Sequence, residues 1–244
     1  MAQNKAATAP HCRQIMFDVG LPLDGQKARR VIARALDSQP QELAQRIMNY
    51  GADGKTQTSF PMVQVSRYRK GLALVGFGDE GADAASQASL AVYSHIRELY
   101  PDRLIRQHMI DLPVSAKRSP YPLRYRVGRM IVEKASYHKD WIENPEKGQP
   151  HIEGLFKRSI ERQAKALSIE LPDFKVSLMG ARRVVPMHKL ADAKAPCGMS
   201  VKLRGLIDAH FEVDLVLSGI WAAGYQLGSG WGKFNANYQR GNFQ

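Results

Sequence analysis

Cysteine is nearly absent: Cys12 and Cys197 stand alone and far apart. Two isolated thiols give no disulfide framework and no metal-ligand spacing, so both are read as incidental and a reducing compartment is expected. No apolar run approaches the roughly 18 residues that a membrane span needs. The opening MAQNKAATAPHCRQ has no apolar core of signal-peptide length. These absences lead to the expectation of a soluble, cytoplasmic protein with no membrane partner. Acids are scarce too, at 23 Asp and Glu against 35 Lys and Arg. There is no D-x-D, no H-x-H and no expected pairing of carboxylates on one face. That argues against metal-dependent cleavage chemistry, and no cofactor is expected.

Positive charge is in excess, at a formal +12 over 244 residues. A surplus of that size points to polyanionic partners, nucleic acid first. Hydrophobic residues make up 44% of the chain, enough for one large core or two small ones.

The order of elements suggests two similar halves, at 1–112 and 113–244. In the first, 14–20 reads as a strand and 26–37 as a helix. Ala28, Val31, Ile32, Ala35 and Leu36 fall on one face of that helix, with Lys27, Arg30 and Arg34 opposite. A short helix at about 40–49 should end at Gly51. A hairpin is expected over 61–67 and 71–77, turning at RYRKG. Asp83 suits the cap of a helix with core positions Ala85, Ala88, Val92, Ile96 and Leu99. Residues 103–112 close the half as a strand. In the second half, 123–134 reads as a strand, and a helical segment occupies about 135–168, its helix opening at Pro150. Strands follow at 173–180 and 199–213 around a basic loop, then a short helix at 213–223 and a last strand at about 231–238. The expected fold is therefore α+β, with tandem ferredoxin-like βαββαβ halves.

The stretch GYQLGSGWGKFN, residues 224–235, places glycines at 224, 228, 230 and 232 just before Lys233. It is not a P-loop, because G-x-x-x-x-G-K would need glycine where Leu227 stands and a hydroxyl where Phe234 stands. It is not a dinucleotide fingerprint, because it follows a helix instead of opening one. Bare backbone beside a lysine suits close approach of a phosphate chain to Gly228, Gly230, Gly232 and Lys233, with Trp231 as a stacking surface. A glycine cap and a buried strand tryptophan are the structural alternatives.

An apolar helix, a glycine-rich loop with a basic residue and a closing strand, ending a second ferredoxin-like half, resemble the CRISPR-associated RNA-processing endoribonucleases of the RAMP superfamily. LSGIWAAGYQLGSGWGKFNANYQ, MFDVGLP and HIEGLFKRSIERQAKAL look most like the type IV processing subunit. The resemblance spans about 11–240. It implies an enzyme that cuts CRISPR repeat RNA beside a hairpin, retains the product and joins the other subunits of a type IV effector complex. Relatives carry a catalytic histidine near the first helix, and residues 26–37 contain none.

Candidate RNA contacts gather in basic stretches. Residues 113–134 hold Lys117, Arg118, Arg124 and Arg126 against one acid, Glu133; residues 182–204 hold Arg182, Arg183 and Arg204 against Asp192. Arg158 and Arg162 line the helix after His151, and Arg240 lies near the end. Without a metal, the chemistry left is attack by the RNA's own 2′-hydroxyl, which needs in-line positioning and charge stabilisation. Arg29, Arg30 and Arg34 are the candidates for holding charge. His11 and His151 are the candidate acid and base, the latter at an expected helix start whose dipole should lower its pKa. Three readings stay open: this endoribonuclease, a catalytically inactive RNA-hairpin-binding subunit of the same fold, and a general RNA-binding protein.

Overall fold

The computed structural model describes residues 9–23, 25–51, 53, 55, 57, 59–132, 145–188, 202–225, 227 and 232–235. The chain is α+β, with four helices among the described residues and antiparallel sheets, and it divides into two compact units. One holds Met1–Ser115, Ala166–Ile169 and Gly228–Gly230; the other holds Ala116–Lys165, Glu170–Leu227 and Trp231–Gln244.

In the first unit the order is β1 (His11–Asp18), α1 (Gly25–Ala35), α2 (Gln41–Met48), β2 (Val63–Tyr68), β3 (Gly71–Phe77), α3 (Gly78–Leu99) and β4 (Arg106–Pro113). The strands lie in the order β2-β3-β1-β4, antiparallel throughout, which is the ferredoxin-like arrangement. Ile15 faces Leu74 on one side and Met109 on the other. The apolar stripe of α1 supplies Ala28, Val31, Ile32, Ala35 and Leu36 to one core with Ile15, Phe17, Val65 and Leu74. Two local expectations change. Helix α3 starts at Gly78 behind Phe77, so Asp83 lies inside it and caps nothing, and Leu99 is 41% exposed. Helix α2 ends at Asn49 in the left-handed region (φ 58°), a geometry asparagine tolerates, ahead of the glycine expected to stop it.

In the second unit β5 (Ser115–Ile131) precedes α4 (Pro145–Ala166), β6 (Val176–His188), β7 (Lys202–Ser218), β8 (Ile220–Ala222) and β9 (Lys233–Asn235). The first three of these strands form a sheet in the order β5-β7-β6, and β8 pairs with β9. Helix α4 begins at Pro145, where a missing N–H costs nothing, and Pro150 lies inside it. The core stacks Phe156 on Phe211 at 4.2 Å and on Phe234 at 5.7 Å.

The helix expected over 213–223 is strand. Its extended backbone is satisfied by distant side chains. The Tyr125 hydroxyl donates to Leu215 O and accepts from Leu217 N. Buried Gln163 donates to Ile220 O and accepts from Ala222 N. Gly224 N donates to Ser159 Oγ. Three side chains on β5 and α4 thus replace the i→i−4 bonds that a helix would have made.

Candidate functional site

Gly224 and Gly232 serve the fold at the glycine stretch. Both have positive φ, 104° and 72°. A Cβ on Gly232 would lie 1.8 Å from Ala223 O, and one on Gly224 would lie 2.6 Å from Ile131 O. Gly232 N donates to Arg129 O at 2.8 Å, and Ala223 N donates to Gly232 O at 3.1 Å. The close backbone approach is therefore to other protein backbone. Lys233 opens β9 opposite Ala222 and is partly exposed. Gly228, Gly230, Trp231 and Arg240 lie outside the described residues, as do Cys197 and the lysines at 189 and 194.

The α1 arginines divide. Arg29 reaches back to donate to Met48 O at 3.0 Å, tying α1 to the end of α2. Arg30 and Arg34 are exposed on the side away from the core. His11 begins β1 with its Nδ1 3.7 Å from Asp79 Oδ1. Beside it Arg13 forms a bidentate pair with Asp111 at 2.7 and 2.8 Å and donates to Ser86.

Helix α4 carries a continuous row. His151, Gly154, Arg158, Arg162 and Lys165 recur at helical spacing on one face, opposite buried Ile152, Leu155, Phe156, Ile160 and Ala164. Gly154 makes room for its neighbour: a Cβ there would lie 3.1 Å from Arg158 Nη1. Because α4 begins at Pro145, His151 sits nearly two turns in, beyond the reach of the helix terminus. Burial and, second, the charge of Arg158 push its imidazole below the ordinary histidine value. The direction matches the sequence expectation, but the cause differs. A neutral imidazole beside a guanidinium row can accept a proton where negative charge is held.

The β5 arginines are not set against a single acid. β7 alternates buried Ala209, Phe211, Val213 and Leu215 with Asp208, His210, Glu212 and Asp214, so three carboxylates share one face of one strand. This overturns the expectation of no such grouping. Each carboxylate is matched from β5: Arg118 Nη2 lies 3.4 Å from Asp214 Oδ2, Arg124 Nη2 lies 3.0 Å from Glu212 Oε1, and Arg126 donates to Asp208. Arg118 also donates to Asp173 O. Lys117 is exposed. Strand β6 runs to His188, so Arg182 and Arg183 are strand residues, and Arg204 is in β7 opposite Pro186; none of the three is in a loop. Sequence reasoning missed Asp208, His210, Glu212 and Asp214. The signal was the period-two alternation in IDAHFEVDLV.

Among the described residues no group of three or more His, Cys, Asp and Glu is arranged to hold a metal ion. Nor is any described helix long and apolar enough to cross a membrane.

Among solved structures the chain is similar to Csf5, a CRISPR-Cas type IV Cas6 crRNA endonuclease. The identity is 16% over 93% of this chain and 100% of that one, with a TM-score of 0.72. It is also similar to Cas6b (14% identity, 93% and 99% covered, TM-score 0.58) and to the CRISPR RNA processing endoribonuclease Cas6b (10%, 92% and 99%, 0.52). At these identities the likeness is one of fold, and the α+β fold is Cas6-like. No curated protein sequence matches. A family model described as type IV CRISPR-associated endonuclease Csf5 matches residues 13–237, nearly the whole chain, and the chain belongs to that family.

Proposed function

We propose that this chain processes CRISPR RNA: it cuts the repeat transcript beside a hairpin without a metal ion, then holds the product as a subunit of a type IV effector complex. The observation that carries the mechanism is His151, kept neutral by burial and by Arg158 on a helix face shared with Arg162 and Lys165. Neutral His151 accepts the proton of the 2′-hydroxyl. The 2′-oxygen bonds to the adjacent phosphorus, and the bond from phosphorus to the 5′-oxygen breaks. A cyclic phosphate and a 5′-hydroxyl result, the departing oxygen taking its proton from solvent. Arg158 and Arg162 stabilise the charge gathered on the phosphorane. Arg30 and Arg34 bind the RNA along α1. Lys233 and, from the sequence, Gly228 and Gly230 remain candidate contacts.

Incubating the protein with a repeat hairpin in EDTA tests the reaction. Cleavage in EDTA, abolished by a 2′-deoxy substitution at the cut site while binding persists, supports it. A requirement for magnesium, or cleavage of the deoxy RNA, ends it. The alternative of a hairpin-binding subunit without activity draws on Arg29, whose guanidinium is engaged with Met48 O. Tight binding with no cleavage under any condition would select it.

A further inference from the structure

One carboxylate on the exposed face of the β5-β7-β6 sheet gathers basic side chains from all three strands. Asp208 of β7 accepts a hydrogen bond from Arg126 of β5. His210, two residues on and on the same face, brings Nε2 to 3.8 Å from the same oxygen. Arg182 of β6 falls opposite Asp208, between the pairs Ala181–Ala209 and Arg183–Ile207. The Arg126 hydrogen bond, then the charges of Arg126, His210 and Arg182, hold the Asp208 carboxyl below its usual range.

The backbone sets this carboxylate in place. Asp208 has φ 58°, the left-handed region, which aspartate tolerates better than most residues. The strand changes phase there, since Leu206 and Ala209, three apart, are both buried. The surroundings are open. Gly180 lies opposite His210, Gly128 lies two residues beyond Arg126, and a Cβ on either would meet nothing within 4 Å. The Arg126 side chain is 68% exposed and that of Asp208 only 21%, so the guanidinium faces solvent above its partner.

Guanidinium forks from β5 and β6, the strands on either side of β7, supply the donors that suit a phosphate. Here Arg126 is bonded to a carboxylate of the protein itself, with Arg182 opposite it in register. A solvent-exposed ion pair is worth little, so a ligand that offers several phosphates at once displaces it at small cost. We propose that Arg126 and Arg182 form a seat for a phosphate of the RNA backbone, and that Asp208 fills this seat in the free protein as an internal competitor. The proposal rests on RNA being the ligand. It gives the seat a selectivity: a lone phosphate competes poorly with the tethered carboxylate, whereas a polyanion anchored elsewhere displaces it.

The test is binding of a repeat hairpin blocked by a 2′-deoxy residue at the cut site, followed by fluorescence anisotropy across a salt series. Asp208→Asn keeps the side chain's size and suits a left-handed backbone, and circular dichroism and thermal melting verify its fold. The expected result is an affinity about two- to fivefold higher than wild type. The slope of log K against log[salt] should change by less than the roughly 0.7–0.9 of a whole phosphate contact, because RNA fills the seat in both proteins. In an Arg126→Gln/Arg182→Gln background the same change should give no gain. A gain that persists there is a general charge effect and overturns the seat, as does an unchanged or weaker affinity in folded Asp208→Asn. If that variant does not fold, Asp208→Gly, which removes the carboxylate and relieves the left-handed residue, takes its place with the same two outcomes. Failure of the wild-type protein to bind the hairpin at all would instead remove the RNA reading, and the seat with it. Normal wild-type binding with unresponsive variants removes the seat alone.

Discussion

Gly232 and Ala223 are locked backbone to backbone: Ala223 N donates to Gly232 O at 3.1 Å, and a Cβ on Gly232 would fall 1.8 Å from Ala223 O. With φ at 72°, the position also disfavours any L side chain. The contact closes the β8-β9 pair over a core containing Phe234 and Trp221.

Gly232→Ala should therefore destabilise the protein by at least about 2 kcal/mol, the sum of a left-handed penalty and an overpacked contact. For a chain of this size that lowers the melting temperature by roughly 4–8 °C. RNA affinity measured well below the melting point should change little. Lost affinity with an unchanged melting temperature would return this glycine to the RNA.

The α1 arginines should separate by assay. Arg29 gives a charged hydrogen bond to Met48 O, so Arg29→Ala should cost about 1–3 kcal/mol in urea unfolding. Arg30→Ala and Arg34→Ala should leave stability within about 0.5 kcal/mol, as exposed substitutions do. Both should instead weaken hairpin binding and leave the rate at saturating RNA little changed, since in the proposed mechanism α1 holds RNA and does not touch the reacting phosphate. Lys27→Ala is the charge control and should do neither. Equal binding losses for Lys27→Ala and Arg30→Ala would reduce α1 to a diffuse electrostatic surface.

The first unit was legible in the sequence because its signals are local. The stripe from Ala28 to Leu36 has helical period, and the Val63 and Val65 strand turns within a few residues into Leu72 and Leu74. The second unit hides two features in long-range chemistry. Residues 213–223 look like an apolar helix, and they are held as strand by ladder pairing and by Tyr125, Gln163 and Ser159, between 57 and 92 positions away. The arginines of β5 look unopposed because their acids come from β7, 82 positions on for Arg126 and Asp208. Basic runs in sequence thus overstate free charge. The α4 row was readable from its spacing alone, whereas the depressed His151 needed the packing around it.

Binding should follow counterion release. With some six phosphates contacted through α1, α4 and the basic strands, log K should fall with log[salt] at a slope of about −4 to −5. Arg124 is paired to Glu212 at 3.0 Å, and Arg162 is exposed on the α4 row. Arg162→Gln should then flatten the slope by about 0.7–0.9, and Arg124→Gln by less. Equal effects would mean that RNA opens the β5–β7 ion pairs along their whole length. A slope near zero would exclude the basic faces as the RNA-binding surface.

His151 supplies the pH test. Its folded-state pKa is depressed, by burial first and by Arg158 second, while an unfolded histidine titrates near about 6.5. Below that value the unfolded chain takes up a proton that the folded chain resists. Stability therefore falls as pH drops through about 6.5 toward the lower folded value, and it is unaffected by this group above about 6.5. Replacing the imidazole removes the effect: the loss of unfolding free energy between pH 7.5 and pH 5 should be smaller in His151→Gln than in wild type. In the proposed mechanism the same depression sets the pH dependence of cleavage. A base that stays neutral to lower pH puts the acid limb of the rate profile below that of a free imidazole. His151→Gln should abolish that limb together with most of the rate. Arg158→Gln keeps the base but removes the neighbouring charge, so the limb should move up in pH while a slower rate persists. An acid limb unchanged in Arg158→Gln would leave burial, the first cause, as the source of the depression. The same limb surviving in His151→Gln would transfer the proton to another residue, with His11 beside Asp79 the next to test.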